Sequence, residues 1–474
     1  MEKQILFIEP TAAHINIFSQ FTLPRLGTFI LAGLVNRRDG WNARVFIEGR
    51  ARFDLTDWIA RHGRPDLVGI STITPTVNRG YALADQCRAL GIPVILGGPH
   101  VTFLPEEALA RADLVVRGEG ETAMDALLDQ WARTGIQPTD PGYAAIHNLS
   151  WKDATGLIRH NPRGAWLRDL DALPVPDFSL AGGTADCVIG GRKTVMVQTS
   201  RGCPFDCSFC SVTGMFGKKY RYRSVESILL ELERYDSRDH FVFFCDDNFT
   251  ANTRRTRALL DALLARHFRF QWSTQVRADL ARDPDLVRLM KRAGCHTVFV
   301  GFESVNPQSL AQMQKNQSLD DIVRAVRVFQ AAGIHIHGMF VLGFDGDDWA
   351  TVEATIRFAR QMRLTSVQVL ILTPLPGSEL YERFKEQERI TSFDWDLYDT
   401  HHVVYRPRGL TPLDLQRAQV CAHTRIYTLS ESLRKLVTGR WVAAGLSFYA
   451  SKINRDWQRE NRHYLDALAA AATE

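Results

Sequence analysis

Residues 194–213 read TVMVQTSRGCPFDCSFCSVT, a short apolar strand pattern that runs directly into a loop holding Cys203, Cys207 and Cys210. The spacing is C-x3-C-x2-C, with Arg201 and Gly202 ahead of it and Phe205 and Phe209 between the thiols. Structural zinc wants four ligands, usually as two close pairs. Here the next ligand types, His240 and Cys245, stand about 30 residues further on and have no partner nearby. A catalytic cysteine explains one thiol and leaves two over. An iron–sulfur cluster explains all three and also the missing fourth, because a 4Fe–4S cube on three thiolates leaves one iron open for a substrate or cofactor.

The strand that feeds this loop is the first of a series. TVMVQTS (194–200), HFVFFCDDN (240–248), FRFQWSTQV (268–276), HTVFVGFES (296–304), IHIHGMFVLGF (334–344) and SVQVLILTPL (366–375) are apolar stretches of strand length. Helical periodicity fills 224–235, 253–266, 283–293, 318–332 and 350–363 between them. Sixfold β/α repetition predicts a partial barrel with its chemistry at the carboxyl ends of the strands. Upstream, strands at 4–10, 43–48, 66–72, 93–99 and 112–120 also alternate with helical segments, which predicts a doubly wound, Rossmann-like parallel sheet. Its strands run into STITPT, GGPHVT and GEGET, where such sheets bind ligands. No G-x-G-x-x-G follows the first strand, which argues against a nicotinamide cofactor.

The fold class expected is therefore α/β: an N-terminal doubly wound sheet over 1–140, a linker with a small hairpin over 141–190, a six-fold partial barrel over 191–385, and a mostly helical region over 386–474. A chain of 474 residues fits this multi-domain plan. Its 57 basic and 53 acidic residues leave a net charge of +4, too even for a nucleic-acid-binding stripe. No apolar run approaches the roughly 20 residues that cross a bilayer, and MEKQILFIEP lacks the features of a signal peptide. A cytoplasmic protein is expected. Cys87, Cys187, Cys245, Cys295 and Cys421 are scattered, as small buried hydrophobes are, and form no disulfide framework.

The three-cysteine loop after the first strand of a β/α repeat, with aromatic Phe209 before its last thiol, resembles the signature of the radical S-adenosylmethionine superfamily. That resemblance implies a 4Fe–4S cluster on Cys203, Cys207 and Cys210 and S-adenosylmethionine on the open iron. It also implies an external one-electron reductant of flavodoxin or ferredoxin type, and a 5′-deoxyadenosyl radical that takes hydrogen from an unreactive carbon. Carried over by position, Asp246, Asp247 and Asn248 lie near the methionine ammonium, and Gln275 and Arg277 near its carboxylate. Glu303 lies at the fourth strand end, and Gly338 and Gly343 are placed for backbone contacts to adenine.

The 1–140 region resembles the cobalamin-binding domain that precedes the barrel in one large class of that superfamily. Ser71, Thr72, Thr74, Gly97, Gly98, Pro99, His100, Gly118, Glu119, Gly120 and Glu121 stand where that class meets its corrinoid. Small residues there let backbone approach a flat ligand. The D-x-H-x-x-G motif of other cobalamin proteins is absent, and His14, standing alone, reads as an ordinary polar residue.

The tail from 434 to 457 mixes Trp441, Phe448, Tyr449 and Trp457 with Arg434, Lys435, Arg440, Lys452 and Arg455. It fits a helix packed on the barrel, or an interfacial helix that brings the enzyme into peripheral membrane contact. The adjacent His401 and His402 would face opposite ways in a strand and make no shared metal site. The resemblance implies a small-molecule, lipid-like or tetrapyrrole-like substrate, no nucleic acid, and methyl transfer to carbon as the leading reaction. Radical cyclisation, oxidation or rearrangement is the alternative, and an iron–sulfur sensor or electron carrier a remote one.

Overall fold

The structure, a computed structural model, describes residues 2–16, 23–49, 51–189 and 191–471. By internal contacts the chain forms two compact units, the first centred on residues 17–188 and the second on 189–210 and 225–474.

The first unit is built on seven strands: β1 (Lys3–Glu9), β2 (Trp41–Ile47), β3 (Leu67–Ser71), β4 (Val94–Gly97), β5 (Leu114–Val116), β6 (Leu149–Lys152) and β7 (Ile158–His160). Their order is β2-β1-β3-β4-β5-β6-β7. The first five are parallel, in the doubly wound order that changes direction between β1 and β3. β1 is KQILFIE with its last five residues buried, as expected of a strand covered on both faces. The segment expected to be a linker differs from that expectation. The hairpin β6–β7 pairs antiparallel with β5, so residues 149–160 extend the first sheet and satisfy an edge that β5 would otherwise leave open.

The second unit begins with β8 (Val188–Ile189) and β9 (Arg192–Val197). Two short strands, β10 (Ser200–Arg201) and β11 (Arg221–Tyr222), precede and follow the cysteine loop in sequence. The sheet continues through β12 (His240–Phe244), β13 (Trp272–Val276), β14 (Cys295–Glu303), β15 (His335–Leu342) and β16 (Ser366–Ile371). β9 and β12 to β16 pair in sequence order, all parallel, as the expected six-strand half-barrel. Capping residues start its helices: Asp283 accepts from Leu286 N, Asp348 from Thr351 N, and Ser318 with Asp321 forms a capping box.

Strand alternation sorts the half-barrel into two faces. Val195, Val242, Phe244, Val298, Val300, Ile336, Phe340 and Val369 are almost fully buried and face the helices. The registers Gln275↔Phe299, Phe299↔His337 and Met339↔Gln368 put half-exposed residues together on the other, concave face, with Phe243 opposite buried Ser273. The open edge of β16 is covered by the helix Pro412–Ile426 and its flanks. Tyr427 Oη accepts from Val367 N (2.6 Å), His423 Nε2 accepts from Val369 N (3.0 Å), and Thr400 O accepts from Ile371 N (2.7 Å). Burial holds the His423 imidazole down to about 3, so it stays neutral and able to accept that bond.

Candidate active site

The cysteine loop leaves the carboxyl end of the first barrel strand, as the sequence predicts. Its backbone is anchored on both sides: Ser208 N donates to Met313 O (3.4 Å), Leu380 N to Ser208 O (2.8 Å), and Cys210 N to Cys207 O (3.0 Å). None of the three is in a disulfide, and all are half-buried. No three His, Cys, Asp or Glu side chains among the described residues are closed into a metal-binding group. The fit of a cluster therefore rests on the chemistry of the loop. The Arg277 guanidinium lies 3.7 Å from the Phe205 ring centroid. Burial pushes the Cys207 thiol up, while Lys315 and Arg277 pull it down. Two cations beside a thiol on a sheltered loop suit a site that must hold thiolate charge.

The strand ends sort the expected residues by what they already hold. Asp246 is buried and accepts from Thr199 N (3.2 Å) and Thr199 Oγ1 (3.0 Å) and also from Ser200 Oγ, so it ties β12 to the start of the cysteine loop. Arg255 steadies the same Thr199 through its hydroxyl (2.8 Å) and carbonyl (3.0 Å). Asp247 points into the open, with no hydrogen bond among the described residues. Surrounding protein, and next Asp246, push its carboxyl up to about 7. Asn248 is buried, and its side chain receives a long bond from Thr250 (3.4 Å). Gln275 sits half-exposed on the concave face with its amide unengaged among the described residues. Phe209 meets Phe344 edge-on at 6.3 Å.

Arg277 and Glu303 are occupied. Arg277 Nη2 donates to Lys315 O, and Lys315 Nζ pairs with Glu303 and donates to Gly301 O (2.6 Å). Glu303 has φ +60°, in the left-handed region. Gly301 makes room for the pair, since a Cβ there would lie 2.3 Å from Glu303 Oε1 and 2.6 Å from Lys315 Nζ. Gly338 does not do what was expected of it. It lies mid-strand on the helix-facing side, where a Cβ would meet Leu364 (2.9 Å) and Phe302 (3.1 Å), so its role is packing. Gly343 ends β15 at φ +110°, its N–H bound to Asp347 Oδ2 (2.9 Å) and its carbonyl to Tyr405.

Sequence reasoning passed over the concave lining. Phe243 and Phe299 meet edge-on at 5.5 Å, and Phe299 meets His337 at 4.9 Å. His337 is held by Ser366 Oγ (2.8 Å), and burial keeps it neutral, at about 4. The period-two pattern of these strands carried the signal, but only the register shows which set faces inward.

In the first unit, three strand ends are laced together. Thr72 N donates to Gly97 O (2.9 Å), Thr102 Oγ1 to Gly98 O (2.8 Å), and Gly118 N to Thr102 Oγ1 (2.9 Å). His100, buried behind Pro99, meets Thr74 Oγ1 through Nδ1 (3.3 Å). Gly97 and Gly118 have nothing within 4 Å of a Cβ position, so space opens above them and beside half-buried Ser71. Glu119 is bound to Arg221 (2.7 Å) and to Leu167 N (3.2 Å), so it holds backbone and a cation and offers no free carboxylate. Gly120 and buried Glu121 start the helix Glu121–Thr134. A cavity of ≈ 110 Å³ beside them is lined by Arg117, Arg163 and Trp166. A pair the sequence did not point to is Glu9 with Arg25. The carboxylate accepts from Arg25 N (3.0 Å), and Arg25 Nη1 donates to Ser71 O (2.6 Å), joining the ends of β1 and β3 at the switch point.

Gly98 has φ +103°, and a Cβ there would stand 2.2 Å from Thr72 O. Gly98→Ala is expected to cost about 1–3 kcal/mol of unfolding free energy, read as a lower urea midpoint for the first unit. Gly97→Ala, with open space above it, leaves that midpoint in place.

Family models match two segments of the chain: the radical SAM superfamily over residues 197–359 and the B12 binding domain over residues 15–128. An uncharacterized methyltransferase of Pyrococcus horikoshii is 31% identical over 447 residues, which are 91% of this chain and 94% of that protein. Bacteriochlorophyllide d C-12(1)-methyltransferase of Chlorobaculum tepidum is 27% identical, over 78% of this chain and 76% of its own. The cobalamin-dependent radical enzyme OxsB, solved with aqua-cobalamin and S-adenosylmethionine, superposes with a TM-score of 0.72 at 15% identity, over 97% of this chain and 75% of its own.

Proposed function

Since the chain belongs to the radical SAM superfamily, in the class that carries a B12-binding domain, we propose that it places a methyl group on an unactivated carbon of an apolar small molecule. The observation that carries this reading is the union, in one chain, of a three-thiol loop at the end of β9 with a doubly wound sheet whose carboxyl ends are small and open at Gly97 and Gly118. When bound, a cluster with S-adenosylmethionine supplies a carbon-centred radical, and cobalamin supplies a transferable methyl group.

The rest is the work of the chain itself. Cys203, Cys207 and Cys210 offer three thiols to a cluster, and Lys315 and Arg277 lie near Cys207, where they partly counter the burial that raises its thiol. Asp246 and Arg255 hold the loop's root by gripping Thr199. Asp247 and Gln275 keep unengaged polar atoms toward the mouth of the barrel, suited to an ammonium and a carboxylate. Phe243, Phe299 and Met339 present an apolar wall with His337 set into it, which favours an apolar, ring-bearing or lipid-like substrate. Ser71, Thr74, Gly97 and His100 line the strand ends of the first unit where a corrinoid has room.

Feeding methyl-labelled methionine to a strain with the gene and to its deletion tests the reaction. One metabolite, absent from the deletion, should carry the label as a carbon-bound methyl. A missing metabolite that differs only by a ring or by two hydrogens, without label, sinks methyl transfer and favours radical cyclisation or oxidation.

Asp247 gives the site a pH signature. Its carboxyl, near 7, must be ionised to receive an ammonium, so binding strengthens as pH rises through neutrality. The dissociation constant of S-adenosylmethionine on anaerobically reconstituted protein is expected to be about tenfold higher at pH 6 than at pH 8. Asp247→Asn should flatten that profile, and an unchanged slope in the variant removes Asp247 from the role.

A further inference from the structure

Thirteen large apolar side chains are exposed among the described residues, and seven of them fall between 429 and 449. On the helix Leu429–Val437, Leu429, Leu433 and Val437 face outward at 66%, 47% and 87% exposure, one turn apart. Two of the three charged side chains of the same helix point inward, while Arg434 stays exposed and pairs with Glu431 (2.6 Å). Glu431 and Lys435 are buried, with Lys435 Nζ 3.3 Å from Ser447 Oγ and 5.6 Å from the Tyr427 ring centroid. This reverses the usual amphipathic order, in which the apolar stripe faces the core.

The next helix, Trp441–Glu460, continues the surface along one face. Trp441, Val442, Phe448 and Tyr449 are exposed in its first half, and Lys452, Arg455 and Arg459 in its second. Lys452 and Arg455 have no ion-pair partner among the described residues, whereas Arg459 is paired with Asp456. An apolar patch next to unpaired cations matches the boundary of an anionic bilayer, where apolar groups enter the acyl edge and basic groups meet phosphates. No helix among the described residues is long and apolar enough to cross a membrane, so any such contact lies along the surface.

We propose that the helices Leu429–Val437 and Trp441–Glu460 form a docking surface for an anionic lipid bilayer, with Val437 and Trp441 inserted and Lys452 and Arg455 at the headgroup phosphates. The surface brings an enzyme without a membrane-spanning helix among its described residues alongside membrane-dissolved molecules. Its test does not depend on the reaction the enzyme performs.

The full-length protein is spun with vesicles of phosphatidylcholine alone, or of phosphatidylcholine with phosphatidylglycerol, at low and high salt. Binding to the anionic vesicles, weakened by salt, is the expected result. Lys452→Gln with Arg455→Gln should lower partitioning roughly twenty-five-fold, at about a factor of five per basic residue. Val437→Ser with Trp441→Ser should lower it on both vesicle types. Both variants should cleave S-adenosylmethionine as the wild type does, showing that they are folded. Failure to bind anionic vesicles, or binding untouched by the substitutions, overturns the proposal. So does a vesicle-free dimer that Val437→Ser with Trp441→Ser dissolves, because the surface then belongs to a second copy of the chain.

Discussion

Alanine at Cys203, Cys207 or Cys210 is expected to bring reductive cleavage of S-adenosylmethionine down by about a thousandfold or more, equivalent to roughly 4 kcal/mol of barrier. The effect should be this large because a cluster would rest on all three thiols, and no group of His, Cys, Asp or Glu among the described residues is placed to replace one. The loop itself should survive the change. Its backbone is anchored through Ser208, to Met313 O at 3.4 Å and from Leu380 N at 2.8 Å. Anaerobic reconstitution of the wild type should yield about four irons per chain, each alanine variant far fewer, with thermal unfolding unchanged. One variant that cleaves at the wild-type rate is enough to refute the assignment. Alanine at buried Cys87 or Cys295 should leave both readouts alone.

The second large effect should come from Lys315, which lies twelve residues beyond Glu303. Its amine and the Glu303 carboxylate are both nearly shut off from solvent, at 7% and 11% side-chain exposure. Lys315→Ala leaves that carboxylate buried without a cation, a loss of about 3–5 kcal/mol. The damage should spread, because Lys315 O also receives Arg277, whose guanidinium covers Phe205 in the cysteine loop. Urea unfolding followed by circular dichroism measures the loss. Pairing Lys315→Met with Glu303→Gln should recover most of it, since removing both charges costs far less than stranding one. A Lys315→Ala protein within about 1 kcal/mol of wild type would show that water already reaches the pair.

The strands and the thiol loop were legible because their signals are short-range. Apolar runs of strand length recur between helical patterns, and the cysteines sit on contiguous chain, so no long-range contact is needed to see them. Gly338 shows where that reading stops. A glycine in a strand signals close approach, and the side chains that approach its Cβ position are Phe302 and Leu364 in the packed layer. Lys315 shows another limit. Its role depends on Glu303 at φ +60° and on Gln314 and Asn316 at φ +54° and +53°, backbone turns in polar residues that sequence does not flag. Asp246 and Asp247 are neighbours of the same type, yet one is spent on Thr199 and the other left open, a division made in the turn that follows β12. The tail over 434–457 shows features of both its readings, with Ala443, Ala444, Ser447 and Trp457 buried and Trp441, Phe448 and Tyr449 exposed on one helix. Pro412–Ile426 packs on the barrel, and the pair after it turns apolar side chains outward.

The side chains along β16 bear on how this protein can be cut. His423 and Tyr427 occupy the backbone donors of Val367 and Val369, which would otherwise stand as a template for another strand. A truncation ending near residue 410 would keep every barrel strand and the thiol loop. It would also expose the unpaired donors of Val367 and Val369, so the shortened enzyme should form insoluble sheet-to-sheet aggregates while its active-site residues remain intact.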